Sequence, residues 1–413
     1  MSTWQRQYEW LCEALDHRGI DVPMVEAALA AAVIELPSWA VGNSGTRYGV
    51  FREDGAARHI WDRIDDCAEI QKLTGVAPRM AVHVSWDVTE DGRYGPVRSY
   101  AEQKGLGIGT VHPNTFLGQQ FRLGSICSPD SAVRKATAEH MVDCVRIARE
   151  MGSRTIGVWI ADGTNYPGQD HLRTRKHRLV EGMDPLYAAM DDDMTLLVEY
   201  KLFEPSFYTM DLMDWGMSLL LCNRLGPRAK VLVDLGHHAL GVNIEQIVAV
   251  LIDEGRIGGF HLNNRKYADD DLMAGSCNPL ELFLIYDQIV DATADPIARE
   301  VAQAIVYMLD QSHNIEPSIE GLIQSVMNTQ TAHAKALIVD RPRLRALEDS
   351  GDVVGANRLL MEAFETDIQP LLKKTRVDSG RDPDPLVAYR ESGYARRIAE
   401  ERAGAARGTL GGD

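Results

Sequence analysis

A (β/α)8 barrel with a C-terminal helical extension is the fold this sequence predicts, and three observations predict it. Eight short runs rich in Val, Ile and Leu recur along the chain, and stretches with helical periodicity lie between them. Strands that alternate with helices build a parallel sheet, and eight such units close into a barrel. Polar and aromatic side chains stand at the C-terminal ends of these runs, whose bodies are almost wholly aliphatic. A barrel of this kind carries its chemistry at those ends. The strand count disfavours the rival arrangement, a doubly wound open sheet.

The elements follow in order. A helical lead-in precedes the first run, VIELPSWAVG (33–42), which ends around Trp39. The amphipathic stretch His59–Leu73 leads to RMAVHVSWD (79–87), with His83 near its end. The third run, GIGTVHPN (107–114), stops just before Phe116, and Ser131–Met151 then leads to RTIGVWIADG (154–163) with Trp159. In TLLVEYK (195–201), Glu199 and Lys201 stand two apart and so share one face of a strand. After Leu212–Leu225 comes KVLVDLGHH (230–238), an Asp-x-x-His from Asp234 to His237. After Ile244–Glu254 comes IGGFHLNN (257–264) with His261, then a loop that offers Asp269 and Asp271 as Asp-x-Asp. Pro279–Val290 precedes the last run, AIVYMLDQSH (304–313), which carries Asp310. Residues 1–315 are thus read as the barrel with its lead-in. Residues 316–413 are read as a helical extension ending in a Gly/Ala-rich tail predicted to be disordered.

Composition narrows the function classes. Of 413 residues, 43 are basic and 60 acidic, a formal net charge of −17 that disfavours nucleic acid as a partner. The longest apolar run, Ala27 to Ile34, is far short of the ~20 residues a membrane span needs. The first residues lack the basic-then-apolar pattern of a signal peptide. Six scattered cysteines form no CxxC pair, so neither a disulfide framework nor a cysteine zinc site is expected. A cytoplasmic, reduced protein with no membrane or nucleic-acid partner is the expectation.

Strand ends converge on one mouth, so Glu199, Asp234, His237, His261, Asp269, Asp271 and Asp310 are expected to meet there. Five adjacent carboxylates cannot all stay ionised at neutral pH without compensation. Two divalent cations supply most of it and Lys201 the remainder. A ligand set of oxygen and nitrogen without thiolate suits Mn²⁺, Mg²⁺ or Co²⁺ better than structural zinc. By contrast, Asp191–Asp193 precede a strand and are read as a solvated turn. Trp39, Phe116 and Trp159 offer flat faces for a sugar ring or an apolar wall. The run GLGIG (105–109) lacks both the spacing and the Lys of a phosphate loop and is set aside.

Glu, Asp-x-x-His, His, Asp-x-Asp and Asp at successive strand ends resemble the pattern of the xylose isomerase-like, metal-dependent sugar isomerases. Within that group the strings PSWAVGNSGTRY, VEYKLFEPSFY, VLVDLGHHALGVNIE, GGFHLNNRKYADDDLMAG and DPLVAYRESGYARR are similar to the L-rhamnose isomerase family. HVSWD around His83 departs from the family's more usual HIPWD. The resemblance implies a structural metal on Glu199, Asp234, His261 and Asp310. It implies a catalytic metal on His237, Asp269 and Asp271, with Asp234 as the bridge. Mn²⁺ is the first expectation, with Mg²⁺, Co²⁺ and Zn²⁺ as alternatives. Lys201 and His83 would contact sugar oxygens, while Trp39, Phe116 and Trp159 line the pocket. The family's homotetramer would let Tyr48 reach into a neighbour's site.

The reaction implied is aldose–ketose interconversion, in which hydrogen moves between C1 and C2. Two Lewis acids can polarise the substrate oxygens, with Asp310 assisting removal of the O2 proton and Lys201 stabilising charge at O1. Hydride transfer is expected because, His83 excepted, no histidine or carboxylate outside the metal set is free to act as a carbon base. A single-metal ketose 3-epimerase and a non-catalytic sugar-binding barrel remain the alternatives.

Overall fold

The computed structural model describes residues 2–46, 49–204, 208–313, 315–403 and 408–410. Eight parallel strands close into a barrel in sequential order. They are β1 (Glu35–Pro37), β2 (Arg79–His83), β3 (Gly107–His112), β4 (Thr155–Trp159), β5 (Thr195–Glu199), β6 (Ala229–Asp234), β7 (Ile257–Leu262) and β8 (Val306–Leu309). Each falls within one of the eight aliphatic runs, give or take a residue. Between them run α1 (Ile60–Thr74), α2 (Gly95–Gln103), α3 (Ser131–Met151), α4 (Leu172–Ala189), α5 (Trp215–Leu225), α6 (Ile244–Asp253) and α7 (Pro279–Ala294). Two helices, Thr3–His17 and Val22–Ala30, precede the barrel.

Local chemistry explains the punctuation. Asp130, Asp214, Asn243 and Asn278 accept backbone N–H bonds at the starts of α3, α5, α6 and α7, which satisfies donors that a helix leaves orphaned. Strand bodies such as Leu196–Val198 and Val231–Val233 are fully buried, as strands covered on both faces must be.

Past the barrel, the helix Ser318–Leu337 buries an apolar face, including Leu322, Ile323 and Val326. The extension packs onto the barrel rather than standing apart. Arg402 reaches back to α1, where its guanidinium pairs with buried Asp66 at 2.7 Å and Tyr394 donates to the same carboxylate at 2.7 Å. Gly408–Leu410, in the tail for which composition predicts disorder, pairs in parallel with Asn43–Thr46. Over the mouth, the short strands Gly163–Thr164, Phe203–Glu204 and Tyr208–Met210 form a small antiparallel sheet that the hydrophobic pattern does not foretell.

Inside the barrel one glycine is dictated by packing. Buried Glu35 on β1 accepts the Thr110 N–H and hydroxyl of β3, each at 2.9 Å. A Cβ on Gly109 would lie 2.3 Å from the Glu35 Cδ. Gly109→Ala therefore has to displace a buried, hydrogen-bonded carboxylate. It should destabilise the protein by at least the ~1–3 kcal/mol typical of overpacking, read as a lower urea midpoint; an unchanged midpoint would show that the barrel interior has room to yield.

Candidate active site

Strand register assembles the site. Trp159 of β4 pairs with Glu199 of β5, Asp234 of β6 with His261 of β7, and His83 of β2 with His112 of β3. Lys201 lies two residues past Glu199, and Asp310 follows directly on β8. Parallel strands of similar length thus bring their polar ends to one level.

The acids and imidazoles do meet. His261 Nδ1 lies 3.2 Å from Glu199 Oε1, 3.6 Å from Asp234 Oδ2 and 3.0 Å from Asp310 Oδ2. His237 Nε2 lies 3.2 Å from Asp269 Oδ1 and 3.9 Å from Asp234 Oδ2. Two groups have donor atoms all within 4.8 Å of one another: Glu199, Asp234, His261 and Asp310, and Asp234, His237 and Asp269. They share Asp234. Asp271 belongs to neither group, but it lines the same cavity and accepts from Ser312 Oγ at 3.3 Å. Its φ of 46° makes it the one non-glycine residue in the left-handed region among the described residues. Such strain persists only where the surroundings hold it.

Several contacts orient these ligands. The Gly236 N–H and the Asn263 amide donate to Asp234 Oδ1 at 2.6 and 3.0 Å. The Trp39 indole N–H donates to Asp310 Oδ1 at 3.0 Å. His237 Nδ1 lies 2.9 Å from the Tyr200 carbonyl and 3.2 Å from Glu199 Oε1, while Nε2 faces Asp234 and Asp269. Lys201 Nζ is buried, 2.5 Å from Asp269 Oδ2 and 2.6 Å from Glu204 Oε2, and sits over the Trp159 ring at 4.9 Å.

The residues fit divalent cations. Asp269 Oδ1 is buried, with His237 Nε2 3.2 Å away but out of line for a hydrogen bond, and its neighbours are hard oxygen and imidazole donors. The electrostatics agree. Burial opposes charge on His237, yet Asp234 and Asp269 outweigh it and push its pKa up to about 9. His261 likewise rises well above the ordinary imidazole value, against burial, because of Glu199 and Asp310. Burial, then Asp269 and Asp310, drive the Asp271 carboxyl well up. Protons on the imidazoles thus fill the role that metal charge would take.

A cavity of about 1100 Å³ opens from this cluster. Trp39, His83, Phe116 and Trp159 all line it, together with Lys201 and every predicted ligand except Asp234, which lies buried beneath. Phe116 meets His83 and Trp159 edge-on, with ring centroids 5.4 and 5.1 Å apart. Burial pushes the His83 pKa down to about 3, so its ring is neutral and donates from one ring nitrogen while accepting at the other. Tyr48 lies outside the described residues.

Sequence reasoning missed His112, Trp86, Glu204 and Tyr208, which also line the cavity. His112 ends β3 as His83 ends β2, so the same strand-end rule applies to it. Glu204 carries a weaker signal, an acid three residues after Lys201. Trp86 and Tyr208 reach the pocket only because their loops fold back over it.

The profile of the xylose isomerase-like TIM barrel family matches residues 64–281. A probable sugar isomerase from Rhizobium meliloti is 42% identical over 98% of this chain and 94% of its own. Another from Mesorhizobium japonicum is 39% identical over 96% and 92%. The chain belongs to the xylose isomerase-like TIM barrel family. Solved structures share its fold. An L-ribulose 3-epimerase covers 75% of this chain and 98% of its own at a TM-score of 0.52 and 16% identity. A xylose isomerase domain protein from Alicyclobacillus acidocaldarius covers 74% and 99% at 0.50 and 13%. At such identity the likeness speaks for the barrel alone. The L-rhamnose isomerase resemblance is finer than these family matches.

Coordination requires His237 as a neutral imidazole. Its raised pKa means that its contribution to the stability of the cation-free fold is full below about 6.5 and lost as pH rises through about 9. Over that window cation affinity should climb by about tenfold per pH unit for each proton displaced. Calorimetric titration of Mn²⁺ into EDTA-treated protein at pH 7, in buffers of differing ionisation enthalpy, should register proton release. Binding with no proton release would mean that the imidazoles were already neutral.

Proposed function

We propose that the chain is an aldose–ketose isomerase acting on L-rhamnose and L-rhamnulose, with D-allose and other aldoses as further substrates, and that it uses two divalent cations per subunit, Mn²⁺ first. The observation that carries this reading is the pair of ligand groups sharing Asp234 at the floor of an aromatic-walled pocket. Glu199, Asp234, His261 and Asp310 would hold one cation; Asp234, His237, Asp269 and Asp271 would hold the other. Bound there, the cations supply Lewis-acid polarisation of the substrate's carbonyl and neighbouring hydroxyl.

The chain's own groups do the rest. Lys201 keeps its proton because Asp269 and Glu204 outweigh the effect of burial, and its ammonium would donate to substrate O1 as negative charge grows there. Asp310, oriented by the Trp39 N–H, would accept the O2 proton. His83 is a neutral hydrogen-bonding partner for a sugar hydroxyl. Phe116 and Trp159, in edge-on contact, would shield the reacting carbons from water and favour hydrogen passing directly from C2 to C1. Among the described pocket-lining residues, Glu204 is the one carboxylate outside the proposed ligand sets, and Lys201 already engages it at 2.6 Å. The apolar walls suit the methyl end of a 6-deoxy sugar.

The protein stripped with EDTA and resupplied with Mn²⁺ should bind two cations per subunit and convert L-rhamnose best in a panel of aldoses. Run in deuterated water, the product should carry little label at C1. One cation per subunit with epimerisation at C3 would favour the epimerase alternative, and no conversion of any aldose would end the isomerase reading. Substantial label at C1 would replace hydride transfer with proton transfer through an enediol.

We also propose the homotetramer, with Tyr48 reaching a neighbour's pocket. Large apolar side chains exposed on the loops around the mouth, among them Tyr166, Leu240, Tyr267 and Ile315, support an interface there. Analytical ultracentrifugation should show a tetramer, and a monomer across micromolar concentrations would remove this part of the proposal.

A further inference from the structure

A second buried charge cluster lies outside the metal ligands. Arg175, near the start of α4, is 1% exposed. Its guanidinium grips Asp211 in a fork, Nε to Oδ1 at 3.0 Å and Nη2 to Oδ2 at 2.6 Å. Nη1 donates to Asp170 Oδ2 at 3.1 Å and lies 3.5 Å from the Cys127 carbonyl oxygen. Close by, Asp162 accepts the backbone N–H groups of Ser125 and Cys127 at 2.5 and 2.7 Å, and its carbonyl accepts from Asp211 N at 2.8 Å. Cys127, Asp162 and Asp211 have donor atoms close enough together to suggest a metal. The guanidinium already supplies the positive charge there.

The partners belong to three different loops. Ser125 and Cys127 follow β3, Asp162 and Asp170 follow β4, and Asp211 follows β5. The same loops carry the outer wall of the pocket, through Phe121, Tyr166, Gln169 and Tyr208. We propose that Arg175 is a positioning residue for substrate binding, which locks these three loops into one unit and so sets the shape of the outer wall without touching substrate. The proposed metal ligands stand at the ends of β5 to β8 and on the loops after β6 and β7, and none of them is a partner of Arg175. A wall that meets the far end of the sugar contacts it equally in ground and transition states, and such uniform binding appears in KM rather than kcat.

The kinetic readout rests on the isomerase reading; a structural readout does not. Arg175→Lys keeps the charge and loses the fork. In the Mn²⁺-loaded enzyme it should raise KM by about tenfold, the worth of one charge-assisted hydrogen bond, with kcat and Mn²⁺ affinity held. Asp170→Asn, at a less buried partner, should raise KM in the same direction by less and guards against misfolding of the first variant. Hydrogen exchange on both variants should show segments 113–130, 161–171 and 208–214 losing protection together while the barrel strands keep theirs. Unchanged KM in both variants, or a KM rise matched by loss of kcat and of metal affinity, would overturn the proposal. So would exchange confined to one loop or spread through the barrel. Should the unmodified protein convert no aldose, the isomerase reading falls and the exchange pattern alone decides the fate of the knot.

Discussion

Repulsion among five carboxylates held at one barrel mouth is the constraint on which the rest of the structure depends. Buried Glu199 and Asp234 converge there with half-buried Asp269, Asp271 and Asp310, and reduced solvation makes such charges costly. Nothing local favours that gathering. It persists because the barrel's aliphatic core and continuous parallel hydrogen bonding fix the strand ends regardless of what they carry. Compensating charge then becomes obligatory. Lys201 provides one unit, and His237 and His261 take up protons when no cation is present. The shift that raises the two imidazoles is the same field that would attract divalent metal.

Around this centre, rigidity is graded. Strand-borne site residues are fixed by register and by contacts such as Gly236 N–H and Asn263 to Asp234. The pocket wall instead rides on loops, which need fixing of another kind. Buried Arg175 and its carboxylate partners supply it for three of them. The left-handed Asp271 sits where these regimes meet, a strained residue on a loop but beside the ligand cluster.

Two Asp-rich runs show how much was legible in the sequence. Asp191–Asp193 and Asp269–Asp271 are each three consecutive aspartates, yet Asp191 and Asp193 are exposed and pair with surface Arg149 and Arg154, whereas Asp269 pairs with buried Lys201. Position separates them, since one run precedes a strand and the other follows one. The same rule located the eight strands and the polar residues that meet at the mouth, and it applies equally to His112. It has no purchase on Asp170 and Asp211, which stand in loops like ordinary surface acids and acquire a role only when Arg175 packs against them. Glu204 belongs to the same class, because its pairing with Lys201 requires the small sheet over the mouth.

By itself, then, the sequence determined the barrel, the order of its strands and the identity of the residues at their ends. Aliphatic periodicity is a local property, and a strand's last polar residue is fixed by where its apolar run stops. Only the tertiary structure decided which acids share a centre through Asp234, which carboxylates are spent on Arg175, and which loop side chains wall the pocket. Those outcomes depend on distances between segments far apart in the chain, set by strand register and loop packing rather than by any neighbour in sequence.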